Sequence, residues 1–467
     1  MTVADATPDY EVGSKDDRAF LGHPKGLGFL GFTEACERFS YYSMQTLLIL
    51  YMVNYLLIPA RMHRVIGLEW LQAHVYHGIS GQPLASAIFG TYAAGVYLTP
   101  IFGGMIADKW LGRDATLLVG GTLMAIGHFL MAIQSAFVFA LLFLLLGVGA
   151  FKGNIASQVG SLYGPNDLRR ATAFQIFYIF INAGVILANP IAGTLGQKVG
   201  WHWGFGCAGV VMVLGMVIYL SGRKYLPLGR AVRRPEQPKI REPLTRDDWL
   251  RIVYVVILIP VLAIALLTNM QIFNVYLTWG DQHFSLSLFG FHFLSSQLIT
   301  IDSVVSVSFL VIVAGFWKWW GLHHREPDEL MKMIIGSVFS IAGGLCLFMA
   351  AATQPADGKI SMFWPMMFEL FNSIAFAHIL PISLALFSKI SPKQIISTAI
   401  GLYYLAFFIA NAMVGWVGGL YSSLPTTTFW LIHVASAAIG LIAFVIFKAV
   451  LGRRMVDTPE DQAAALS

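Results

Sequence analysis

The chain predicts an all-α membrane protein of twelve transmembrane helices arranged in two groups of six. Three observations lead there. Of its 467 residues, 57 % are hydrophobic and only 12 % are charged, against about 25 % charged in a typical soluble domain. Twelve apolar stretches recur along it, each at or near the roughly 20 residues that a hydrocarbon core demands. Lysines and arginines divide unevenly between alternate loops, 24 on the side that holds both termini and 4 on the other. The side with the excess is cytoplasmic by the positive-inside rule. Only Arg38 and Lys152 remain for the membrane interior.

The elements follow in order. Residues 1–26 are polar and acidic-rich, with no apolar core and no small-residue cleavage site. They read as a cytoplasmic tail rather than a signal peptide. Spans 1 to 6, at about 27–57, 84–107, 115–133, 137–163, 172–196 and 202–221, make a first bundle over 27–221. The segment 222–249 is basic, holds four prolines and reads as a cytoplasmic linker. Spans 7 to 12, at about 250–279, 293–320, 329–352, 360–389, 394–422 and 426–450, make a second bundle over 250–450, followed by a tail at 451–467. Between spans 1 and 2 the outer segment 59–82 is long, and IGLEWLQAHVY within it has the pattern of a short interfacial helix.

Several function classes are excluded or disfavoured. No G-x-x-x-x-G-K-S/T occurs, so the energy source of a carrier would be a gradient rather than a nucleotide. Neither H-E-x-x-H nor G-x-S-x-G is present, and the histidines of LHHREPDE have the wrong spacing for a zinc pair. The three cysteines, Cys36, Cys207 and Cys346, all lie in apolar stretches. They read as small buried hydrophobes, and their odd number argues against a disulfide framework. No metal, cofactor or nucleic-acid partner is expected. The expected setting is a cell membrane, crossed many times by a monomer.

A charge at the bilayer centre costs a few kcal/mol even on lenient scales, so interior ionisable groups face protein or water. On span 1, Glu34, Glu37, Arg38, Tyr41 and Gln45 fall at i, i+3, i+4, i+7 and i+11, which makes one polar stripe. Both carboxylates are within side-chain reach of Arg38, although a structural ion pair needs only one. Span 4 adds Lys152 with Asn154 and Gln158, and span 5 a stripe of Gln175, Tyr178, Asn182 and Asn189. Span 8 carries Asp302, and span 10 carries Glu369 with His378 beyond it. Lone amides of this kind more often join helices, and His378 reads as a packed histidine. Four interior acids face two bases, so the interior should hold protons or accept a cationic group at some stage.

Two resemblances follow from these residues. Two six-helix bundles joined by a cytoplasmic linker is the organisation of major facilitator transporters, whose site lies at the midplane. GGMIADKWLGRD, after span 2, resembles that superfamily's motif G-x-x-x-D-R/K-x-G-R through Gly104, Asp108, Lys109, Gly112 and Arg113, with one extra residue before the second glycine. Asp108 and Arg113 are therefore expected to pair in gating. EACERFSYY resembles the first-helix signature E-x-x-E-R-F-x-Y-Y of the proton-dependent oligopeptide transporter family, complete in Glu34, Glu37, Arg38, Phe39, Tyr41 and Tyr42. Phe151, Lys152 and Asn154 match its fourth-helix motif, and Phe177, Tyr178, Ile181, Asn182 and Gly184 its fifth.

The resemblance implies proton-coupled import of di- and tripeptides by alternating access. It implies proton coupling at Glu34, Glu37, Arg38 and Lys152, the last two lying near the peptide carboxylate. Tyr42, Tyr97 and Asn182 would line the pocket, and Gln45 stands where the family commonly has a second arginine. Span 7 lacks the family's carboxylate, and Phe376 occupies the span 10 position of its amine-binding glutamate. The register points to Asp302 as the anion for the substrate amine and as a further proton-coupling group, with Glu369 the second candidate. The runner-up reading is a proton-coupled carrier of a non-peptide anion such as nitrate. A non-transporting receptor or an intramembrane enzyme is the reading from another class.

Overall fold

The computed structural model describes residues 15–164, 167–226, 244–356, 358–392 and 395–456. Most of both tails and of the linker lies outside them. Among the described residues, eleven helical segments are long and apolar enough to cross a membrane. Span 1 is a further long helix, α1 (Lys25–Tyr51, 27 residues), which carries the three charges. The segment after it folds as two short helices, α2 (Pro59–Met62) and α3 (Leu68–His74). The second of these is the short helix read in IGLEWLQAHVY.

Spans 2 to 6 are α4 (Gly81–Ile106), α5 (Arg113–Met131), α6 (Phe137–Ser161), α7 (Arg169–Ala188) and α8 (Trp201–Gly222). Span 7 is broken into α9 (Arg246–Met270) and α10 (Val275–His283) by a turn of 3-10 helix at Gln271–Phe273. Spans 8 to 12 are α11 (Gln297–His323), α12 (Glu329–Ala352), α13 (Phe363–Ile390), α14 (Ile396–Gly419) and α15 (Thr426–Val456). Polar caps start two of these oily helices. Thr245 and Asp248 form a reciprocal capping box on α9, and Asp328 accepts from the Met331 N–H at 2.7 Å on α12. Each cap satisfies an N–H that the first turn leaves without an intrahelical partner.

The described residues fall into two compact units. One takes in Met1–Ala85, Gly95–Gln237 and Ser296–Thr300, and the other Ser86–Ala94, Pro238–Ser295 and Ile301–Ser467. In the first, α1 packs on α7 and α8, and α5 on α6 and α8. In the second, α9 packs on α14 and α15, and α12 on α13 and α15. Counted in spans, the second pattern is the first advanced by six. The same packing solution therefore serves both units.

Close approaches need glycine at a few points. A Cβ on Gly184 would lie 2.3 Å from the Ala35 carbonyl oxygen and 3.0 Å from the Arg38 Cβ, so α7 reaches α1 beside Arg38 only because residue 184 has no side chain. A Cβ on Gly103 would lie 2.0 Å from the Gly149 carbonyl oxygen, which brings α4 against α6 near Tyr97 and Lys152.

Candidate functional site

In the first unit the stripe on α1 is buried. Glu37 has no exposed surface, and Glu34 and Arg38 are 4 % and 6 % exposed. The Arg38 Nε lies 3.0 Å from Glu34 Oε1 and also contacts Glu37 Oε2. One guanidinium thus faces two carboxylates. Its own ring neighbour is Tyr41, 5.5 Å from the guanidinium carbon. Arg38 Nη2 and Glu34 Oε2 are buried without a hydrogen-bond partner among the described residues. A buried guanidinium donor left unspent is costly unless something anionic completes it.

Lys152 comes from α6. Its ammonium sits 4.8 Å from the Tyr97 ring centre and within electrostatic range of Glu34, Glu37 and Arg38. Four charged groups from two helices therefore act on one another, with two acids matched by two bases. Tyr42 packs on the cluster of Phe39, Ala188 and Ala192, and Gln45 is buried. Asn182 donates to the Tyr178 carbonyl oxygen of its own helix at 2.8 Å. Asn154 bonds within its own helix as well, to Ala150 at 2.7 Å. Gln158 points away into a chain with Tyr219, whose hydroxyl donates to Asp114 Oδ1 at 2.8 Å.

The expected Asp108–Arg113 pair is not formed among the described residues. The reason is local. The extra residue of the loop motif is absorbed in a π-helical turn over Ala107–Leu111, after which Gly112 reverses the chain at φ 78°. Inserting one residue into a helix is what a π-turn accommodates. Asp108 is left exposed, Arg113 reaches Ser161 Oγ at 3.4 Å, and the ion pair of this end joins Asp114 to Arg223 at 2.5 Å.

In the second unit Asp302 and Glu369 come together. Glu369 is 1 % exposed, and its Oε1 accepts from the Tyr276 hydroxyl at 2.7 Å. The Asp302 carboxyl lies within electrostatic range of Glu369 and takes a long bond of 3.5 Å from Ser306. Ser306 in turn meets Ser373 at 3.0 Å. His378 is bonded at both nitrogens, to the Ile374 carbonyl oxygen at 2.8 Å and by the Trp317 indole N–H at 3.2 Å. It is a packed histidine. Tyr276 escaped the sequence reading because a tyrosine in NVYL looks like any aromatic of an apolar span. Its lone position after a break in span 7 was the available signal.

Outside the spans, a charged group ties the segment before α1 to the connection between α6 and α7. Arg169 bridges Asp17 at 3.2 Å and Asp167 at 2.8 Å, and His23 Nδ1 lies 2.9 Å from the Tyr163 hydroxyl. Hydrogen bonds from Arg169 hold the Asp167 carboxyl below the usual carboxylate range. Burial, then the Arg169 charge, hold the His23 imidazole below its ordinary value.

Comparisons with known proteins agree with this architecture. A family model described as PTR2, POT family, matches residues 114–230. The uncharacterized transporter YclF of Bacillus subtilis is 28 % identical over 93 % of this chain and 94 % of its own length. The peptide transporter YePEPT of Yersinia enterocolitica is 26 % identical over 96 % of this chain and 98 % of its own. Among solved structures, a peptide transporter POT in complex with sulfate matches with a TM-score of 0.81 at 24 % identity, covering 97 % of this chain and 99 % of that one. A POT family transporter in complex with 5-aminolevulinic acid matches with a TM-score of 0.80 at 22 % identity, covering 97 % and 99 %.

Proposed function

We propose that this chain, a membrane protein that carries a POT family domain on the fold of the POT peptide transporters, is a proton-coupled symporter importing di- and tripeptides. The observation that carries the proposal is the Arg38 guanidinium held between Glu34 and Glu37, with Lys152 beside them and a buried donor to spare. While both glutamates are ionised they occupy the cations. Protonating one of them releases positive charge, and a substrate carboxylate can take its place through charge-assisted hydrogen bonds. Proton and substrate then favour each other's binding, which is the reciprocal coupling a symporter requires.

Arg38 and Lys152 bind the carboxylate in this scheme, and Tyr42, Gln45, Tyr97 and Asn182 line its surroundings. Asp302 and Glu369 offer negative charge to the amino group. The proton gradient is the energy source, with no cofactor. The protein works as a monomer in the cell membrane with both termini in the cytoplasm, by alternating access.

Proteoliposomes test the proposal. With an inward proton gradient, labelled dipeptide should accumulate, and Ala-Ala and tri-alanine should compete. Accumulation of nitrate or of a non-peptide organic anion, unaffected by either peptide, would favour the second reading, which draws on the missing carboxylate of span 7 and on Phe376. Absence of counterflow for both would remove the carrier reading altogether.

A further inference from the structure

Where α6 stops and α5 and α7 begin, the first unit matches its acids and bases unevenly. Asp114 takes Arg223 and the Tyr219 hydroxyl, while Asp17 and Asp167 both take Arg169. Arg113 and Arg170 are passed over, and neither is in an ion pair among the described residues. Asp108, the remaining acid of this end, is exposed on the π-turn and pairs with neither of them.

The two arginines converge on the last turn of α6. Arg113 Nη1 donates to Ser161 Oγ at 3.4 Å, and the Ser161 hydroxyl spends its own proton on the Ser157 carbonyl oxygen at 2.9 Å. The Arg170 guanidinium lies over the preceding residue, since a Cβ on Gly160 would be 3.1 Å from its Nη2 and 3.7 Å from its Nε. Two guanidiniums from two helices thus stand on consecutive residues of a third. Like charges at close quarters repel, and the negative end of α6 offsets only about half a unit of charge. Arg113 is half-buried, whereas Arg170 and Ser161 are exposed, so an anion can approach from outside.

The group that suits two guanidinium forks is a phosphate, whose oxygens accept paired N–H donors. The flanking residues are apolar and bare, with Trp110 79 %, Leu111 47 % and Leu168 94 % exposed. Such side chains at the ends of membrane spans, tryptophan above all, sit at the headgroup level of a bilayer. That level is where lipid phosphates lie. We propose that Arg113 and Arg170 form a binding site for the headgroup phosphate of an anionic phospholipid. The site is separate from the group around Arg38 and does not depend on what the protein carries.

Native mass spectrometry of the full, delipidated protein in detergent tests this without any transport. Dioleoylphosphatidylglycerol should bind in preference to dioleoylphosphatidylcholine. The variant Arg113→Gln, Arg170→Gln should bind the anionic lipid about tenfold more weakly. Lys318→Gln, Arg325→Gln is the charge-matched control, because both are exposed cations in no ion pair among the described residues. It should bind as the wild type does. Equal weakening in the two variants would reduce the effect to net charge and overturn the site, and so would unchanged binding in the first. Displacement of the lipid by millimolar inorganic phosphate would overturn the lipid assignment in favour of a free anion. If the glutamine variant does not fold, Arg113→Lys, Arg170→Lys keeps both charges without the forks. Its preference for the anionic lipid should fall, and retention at the wild-type level overturns the proposal.

Discussion

Arg38 has one positive charge and two carboxylates against it, and this imbalance makes the effects of single substitutions unequal. Removing one partner of a buried ion pair typically costs about 3–5 kcal/mol, because an uncompensated charge stays behind. Glu37→Gln does not reach that cost here, since Glu34 remains 3.0 Å from Arg38 Nε. It removes one of the two ion-pair contacts and leaves its buried polar atoms less well matched, about 1–3 kcal/mol. The combined Glu34→Gln, Glu37→Gln variant strands the guanidinium and should show the full loss. Thermal unfolding in detergent should therefore give a modest shift for the single variant and a much larger one for the double. Equal shifts would mean that Arg38 depends on Glu37 alone. This group was legible in the sequence because one helix fixes the spacing of Glu34, Glu37 and Arg38. The Asp302–Glu369–Tyr276 group was not, since its members sit on three spans and only packing brings them together.

At the scale of elements, the eleven spans that are long and apolar enough to cross a membrane were readable because hydrophobic length sets them, while one-residue adjustments within them were not. The π-turn at Ala107–Leu111 is such an adjustment, and it moved the ion pair of that end from Asp108–Arg113 to Asp114–Arg223. The short hairpin of Ser287–Leu288 and Phe291–His292 also went unseen, because it lies in the connection between spans 7 and 8 and strands of two residues leave no alternation to read. Deleting Trp110, which is 79 % exposed within the π-turn, should restore an α-helical turn. We expect the deletion to fold with near wild-type thermal stability. Loss of the folded protein would show that the turn is required and does not merely absorb an insertion.

The contact between the segment before α1 and the connection to α7 has its own pH dependence. The His23 imidazole is held below its ordinary value, so the formed contact binds fewer protons than an opened one. Its contribution is present above the ordinary histidine value of about 6.5 and fades as the pH falls through it. Asp167 is held low by Arg169, so its contribution survives until the pH falls through the ordinary carboxylate value of about 4. Between about pH 7.5 and 5.5 the loss therefore belongs to His23. Hydrogen exchange of residues 17–23, corrected for intrinsic rates, should quicken over that range, and His23→Gln should flatten the dependence. An unchanged pH dependence in that variant would assign the effect to another group.

Over the whole molecule, the two units repeat one packing pattern but carry different charge. The group around Arg38 in the first holds two acids and two bases, Glu34, Glu37, Arg38 and Lys152, whereas in the second Asp302 and Glu369 have no ion-pair partner among the described residues. A dipeptide zwitterion carries one charge of each sign. Under the proposed function the acids of the second unit are the groups offered to the ammonium. The first can match the carboxylate only after a glutamate takes up a proton and leaves one cation unopposed. The cycle should then move one proton with each dipeptide, since a second would leave the loaded site with surplus positive charge in a low-dielectric interior. The ratio can be read in proteoliposomes by finding the membrane potential at which a fixed peptide gradient produces no net flux. One proton per dipeptide places the null where the potential balances a single charge. A null at half that potential, indicating two protons, would require a second acid that titrates within the cycle, for which Asp302 is the candidate. Substituting Asp302→Asn separates the cases further. If Asp302 serves the amine alone, this variant weakens dipeptide binding and leaves the null potential where it was. If Asp302 takes up and releases a proton in the cycle, the null moves.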